Sequence, residues 1–124
     1  MSSIGLTALR GASGRAYPFH ACHLNANLKN VGAVYALTKR TRRDDGKDSH
    51  NIIYIGRTSK LDETITEYKK GLWLEQSQVN CICIHLEKDE EQRKEKIADM
   101  SQHYSQKMKT EFKKEALFEQ GGAK

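Results

Sequence analysis

Residues 31–61 read VGAVYALTKRTRRDDGKDSHNIIYIGRTSKL. Two apolar runs stand out: Ala33-Val34-Tyr35-Ala36-Leu37 and Asn51-Ile52-Ile53-Tyr54-Ile55-Gly56. Both are rich in β-branched and aromatic residues, which suit a pleated, half-buried surface. The segment between them is polar, and its Asp45-Gly46 pair is a strong hairpin-turn signal. Strands over 33–39 and 51–55 are therefore expected to pair antiparallel around a long tip. That tip gathers Lys39, Arg40, Arg42 and Arg43, side chains suited to meeting phosphates.

Downstream, Thr58-Ser59 followed by Asp62 and Glu63 marks a helix start. A hydroxyl caps free N–H groups, and first-turn acids complement the helix dipole. Leu61, Ile65, Tyr68 and Leu72 recur at helical spacing and predict one apolar face. Trp73 reads as core rather than as a base-stacking platform. Val79–Leu86, VNCICIHL, predicts a buried strand. Alternation puts Val79, Cys81, Cys83 and His85 on one face and Ile82, Ile84 and Leu86 on the other. From Glu87 the pattern becomes helical and charged. Ile97, Met100, Tyr104, Met108, Phe112 and Ala116 form a stripe along one long helix, or two with a break near Ser105-Gln106. Its far end, with Phe112, Leu117 and Phe118, suits a protein partner or a second copy of the chain.

Upstream, Arg15–Leu24 is a candidate strand, with Pro18 arguing for an edge position or a later start. Residues 1–14 carry three glycines and little periodicity. They read as a flexible N-terminal arm or an edge element. Residues 15–120 then form a single domain, and 121–124 a frayed tail. The fold class expected is α+β: a sheet of three or four strands with helices packed on it and a long C-terminal helix.

The chain has 124 residues, 30% of them charged, and a formal charge of +5. It supports one modest core. No stretch approaches the roughly 18 apolar residues that a membrane-spanning helix requires. Three cysteines are an odd number, which argues against a disulfide framework and for a reducing, cytoplasmic setting. The basic surface favours acidic or phosphate-rich partners. Cys81, Cys83 and His85, with His20, Cys22 and His23, include enough ligand types for zinc, but the spacing is not that of a zinc finger.

The paired runs resemble the core of the GIY-YIG nuclease family. Val34-Tyr35 stands for the first half of the signature, and Tyr54-Ile55-Gly56 is the second half unaltered. The resemblance covers about residues 15–109. It extends to a small stand-alone bacterial branch, in the Gly11-Ala12-Ser13-Gly14 start and the Ile82-Cys83-Ile84-His85 strand. It implies metal-assisted phosphodiester cleavage. The two tyrosines would handle the attacking water, an arginine on the first helix would steady the phosphate, and a glutamate on the last helix would hold Mg²⁺ or Mn²⁺.

Laid on that pattern, Tyr35 and Tyr54 take the tyrosine positions. The arginine position falls on Thr64, the next basic position on Tyr68 and the metal-binding glutamate on Ile97. The closing Pro and Asn fall on Gln106 and Lys109. Arg57 is the nearest substitute cation, and Glu95 and Asp99 are the nearest substitute metal ligands. The expectation is a catalytically degenerate GIY-YIG-like domain that needs no cofactor. It would bind DNA or RNA through Lys39, Arg40, Arg42, Arg43 and Arg57, or a protein through its last helix. The alternative is a working Mg²⁺- or Mn²⁺-dependent endonuclease with relocated residues.

Overall fold

A computed structural model describes residues 3–104 of the chain. The stripe and tail beyond Tyr104, including Gln106, Lys109, Met108, Phe112, Ala116, Leu117, Phe118 and the 121–124 segment, lie outside the described residues. The described residues form a mixed α+β domain. In chain order they give β1 (Gly5–Arg10), β2 (Ala16–His23), β3 (Ala33–Arg42), β4 (Asp48–Thr58), α1 (Leu61–Lys70), α2 (Trp73–Gln76), β5 (Cys81–Leu86) and α3 (Glu90–Tyr104). No helix among them is long and apolar enough to cross a membrane.

The sheet has five strands in the order β1-β2-β5-β3-β4, with every neighbouring pair antiparallel. The expectation of three or four strands falls short by β1. Gly5–Arg10, within the stretch read as an arm or an edge element, is an edge strand that pairs with β2 from Gly5↔Ala21 to Arg10↔Ala16. Its residues are mostly exposed, so an apolar-pattern reading passes over it. Pro18 is tolerated inside β2 because β5 pairs only with His20–His23. Pro18 itself faces β1 alone, which makes it locally an edge residue.

β4 and β5 both run antiparallel to β3, and hence parallel to each other. Parallel strands need a crossover, which α1 and α2 provide. Alternation then divides the core in two. On one face Ala33, Tyr35, Leu37, Tyr54, Ile82 and Ile84 pack under Leu61, Ile65, Tyr68 and Leu74 of the crossover. On the other, Leu9, Tyr17, Phe19, Val34, Ala36, Ile55, Cys81 and Cys83 pack with Ile97 and Met100 of α3. Six successive β3 residues, Ala33 to Thr38, are buried, as befits a strand covered on both faces.

One irregularity resets this alternation. Leu37 pairs with Tyr54 but Thr38 pairs with Ile52, leaving Ile53 as the extra residue of a β-bulge. A bulge switches which face the following side chains take. Ile53 and Tyr54 both join the crossover face, while Ile52 packs on the α3 face.

Local chemistry departs from expectation at two points. The helix signal at Thr58-Ser59 does not produce a side-chain cap; Lys60 is the N-cap residue and makes none. Instead Thr58 Oγ1 accepts the Lys60 N–H at 3.0 Å and pairs with Thr64 Oγ1 at 2.6 Å. Leu72 does not continue the α1 face: the helix ends at Lys70 before Gly71, and Leu72 is 64% exposed. Trp73 packs as core, its ring 5.3 Å from that of Tyr68.

Gly56 lies across from Tyr35. A Cβ there would run into the Tyr35 hydroxyl and ring, and would stand 2.9 Å from Tyr54 Cε2. Both rings are fixed by neighbours, so relief requires the core to move. Gly56→Ala is expected to lower stability by about 1–3 kcal/mol, the usual range for overpacking. Urea unfolding measures it, and an unchanged midpoint would contradict this packing.

Candidate functional site

Tyr35 of β3 and Tyr54 of β4 come together as the paired strands require, with ring centroids 6.1 Å apart. Tyr68 of α1 completes a triangle, 6.2 Å from each. Its hydroxyl lies 3.3 Å from that of Tyr35. Tyr35 is 0% and Tyr54 1% exposed, so neither offers surface to solvent. Thr64, one turn before Tyr68, is held by Thr58. The positions that the resemblance assigns to a cation and a basic group thus carry a hydroxyl and a third phenol. Edge-on aromatic packing and hydroxyl pairing give this cluster cohesion. They supply no fixed positive charge for a phosphate.

The remaining candidates lie elsewhere. Arg57 pairs with Val34, so it projects on the α3 face, opposite both phenols. Ile97 packs on that same α3 face. Glu95 is exposed. Asp99 accepts the Ser13 N–H at 2.8 Å, the Ser13 hydroxyl at 2.7 Å and the Tyr17 hydroxyl at 2.7 Å. Its backbone carbonyl accepts the Ala12 N–H at 2.9 Å. A Cβ at Gly11 would strike the Asp99 carboxylate. Asp99 is therefore the clamp that seats the Gly11-Ala12-Ser13-Gly14 turn on α3. The bonds from Ser13, then Tyr17, hold its carboxyl below the ordinary range. Burial, then the Asp99 contact, pushes the Tyr17 phenol up.

The basic tip of the β3–β4 hairpin is ion-paired within itself. Arg40 meets Asp48 at 2.8 Å, Arg42 meets the same carboxylate at 3.6 Å, and Arg43 meets Asp45 at 3.4 Å. Lys39 donates to Gln78 at 2.8 Å. The Arg40 hydrogen bond leads in holding Asp48 below its usual range.

The histidines and cysteines divide between faces. Cys22 packs on the crossover face, away from Cys81 and Cys83, and His20, two residues before it on β2, shares that side. His85 shares the Cys83 side but is engaged: Nδ1 donates to the Pro18 carbonyl at 2.8 Å, and Nε2 accepts from Lys96 at 2.9 Å. His23 pairs across from Cys81 and is exposed. The partner that joins Cys81 and Cys83 is His50, which the sequence reading did not select. The ligand atoms of these three residues lie within 4.8 Å of one another. Strict alternation back from Tyr54 would put His50 on the crossover face; the bulge at Ile53 turns it to the other. Thr38 Oγ1 lies 3.0 Å from His50 Nδ1. Hydrogen bonding from Cys83 brings the Cys81 thiol down to about 7. The shared proton and burial raise Cys83, and burial lowers His50.

Comparison of the chain with family models, with curated proteins and with solved structures finds no match in any of the three.

Because the folded pKa of Asp99 lies below its unfolded value, its clamp stabilises the fold above the unfolded value. That contribution is lost as pH falls through the folded one. Asp99→Asn should lower the urea midpoint at pH 7 and flatten the dependence of stability on pH below about 4. An unaltered acid limb in the variant would contradict the clamp.

Proposed function

We propose that the chain is a nucleic-acid-binding module on a nuclease-like hairpin, one that holds phosphates and does not cut them. The observation that carries the reading is the split across the sheet of the positions that the resemblance assigns. Tyr35 and Tyr54 are buried against α1, whereas Ile97, Asp99 and Glu95 belong to α3 on the other face. The metal-assisted hydrolysis that the resemblance implies needs a water, a cation and a metal around one phosphate at once. Phenols shut into an aromatic cluster do not reach such a phosphate.

Binding asks less of the fold. Arg42 and Arg43 have side chains 72% and 61% exposed, and both stand at the hairpin tip beside exposed Lys47. Exposed ion pairs contribute only about 0–1 kcal/mol, so a phosphate readily replaces Asp45 or Asp48 as the partner. Arg40 at the base of the tip shares the α3 side of the hairpin with Arg57, whereas Lys39 faces the crossover side and is bound to Gln78. Phosphate contacts hold the backbone and read no sequence.

Three phosphate contacts, from Arg42, Arg43 and Lys47, predict a log–log salt slope of about −2.7 on duplex DNA. That is roughly a 40-fold loss of affinity between 50 and 200 mM salt. Replacing Arg42 and Arg43 by Glu should flatten the slope to about −0.9 or abolish binding. Supercoiled plasmid should stay intact with Mg²⁺ or Mn²⁺. Absence of binding at low salt would sink this reading and favour a protein partner. Nicking that disappears in Tyr54→Phe would establish an endonuclease instead.

A further inference from the structure

The His50, Cys81 and Cys83 cluster takes no part in the proposed phosphate contacts. We propose that these three residues bind a zinc ion, which takes the place of the Thr38 hydroxyl at His50 Nδ1. Zinc here stands for thiophilic ions of filled d-shell, which favour thiolate and imidazole ligands.

Geometry comes first. The candidate ligand atoms already lie within 4.8 Å of one another, and His50 Nδ1 is 3.8 Å from Cys83 Sγ. Tetrahedral zinc, with bonds of about 2.3 Å to sulfur and 2.0–2.1 Å to nitrogen, spaces its ligands roughly 3.5–3.8 Å apart. Side-chain rotation of about an ångström closes that gap. The ligands come from β4 and β5, which flank β3, and Thr38 of β3 lies between them. One ion would thus tie β4 to β5 across β3.

Charge is the second argument. Cys81 and Cys83 are 0% exposed, and burying an uncompensated charge is costly. Two thiolates with one divalent cation make a neutral unit, whereas a lone thiolate does not.

A disulfide is the poorer use of the same residues. Positions two apart on an extended strand have Cα atoms about 6.6–6.8 Å apart, at the limit of disulfide reach. Both cysteines are free.

The test uses the full chain, reduced and kept anaerobic, titrated with Co²⁺ as a spectroscopic probe. The expected result is a sulfur-to-cobalt charge-transfer band and intense tetrahedral d–d bands. They should saturate at about one equivalent and disappear when Zn²⁺ is added. Cys83→Ser should lose the d–d intensity. His50 is half-buried, so His50→Gln provides a variant that does not disturb the sealed core. It should shift the bands and weaken binding. No thiolate band from folded protein overturns the proposal. So does a spectrum unchanged in His50→Gln, or one that survives in the Cys81→Ser/Cys83→Ser double variant and falls in Cys22→Ser.

Discussion

Side chains on a strand point alternately to the two faces of the sheet, and everything distinctive about this protein follows from how that rule is applied and once broken. β3 and β5 are buried on both faces, so each odd–even choice commits a residue to one of two separate cores. The crossover helix seals one and α3 seals the other. Residues close in sequence, such as Tyr35 and Ala36, end in different environments. Residues that a catalytic reading would unite, Tyr54 and Asp99, are divided by the sheet itself.

Among the described strands the break is the bulge at Ile53. It lets Tyr54 remain beside Tyr35 while turning His50 and Ile52 toward the opposite side. The phenol cluster and the thiol–imidazole cluster therefore depend on the same extra residue. Its loss would exchange the faces of everything on β4 before it, a change that a sheet covered on both sides does not tolerate. Gly56 is tied to the same arrangement, because the Tyr35 ring occupies the space a side chain would need.

Much of this is legible in the chain. The two runs around Asp45-Gly46 announce a hairpin, the spacing of Leu61, Ile65 and Tyr68 announces a helix, and alternation along β5 sorts its cysteines from its isoleucines correctly. What is not legible is what local pattern does not encode. β1 lies at the sheet edge with few buried residues, so its strand character comes from pairing with β2 rather than from apolar periodicity. Asp99 looks like one more acid on a charged helix until the Gly11-Ala12-Ser13-Gly14 turn arrives beneath it from far away in sequence. The site of His50 is hidden for a sharper reason: a bulge inverts the very periodicity used to assign faces. The two apolar runs identify the hairpin, but strand positions say little about which face a distant helix will cover. Function is argued from the site and not from the scaffold.

The account rests on the division of Tyr35 and Tyr54 from Ile97 and Asp99 by one sheet. Nuclear Overhauser contacts in the folded, isotope-labelled chain measure that division directly. The Tyr54 ring should show contacts to Tyr68 and Trp73, while the Met100 methyl group contacts residues of the Val34, Ala36 and Ile55 cluster. Contacts from the Tyr54 ring to Ile97 or Asp99 would place the phenol and the α3 carboxylate together, and would contradict the account.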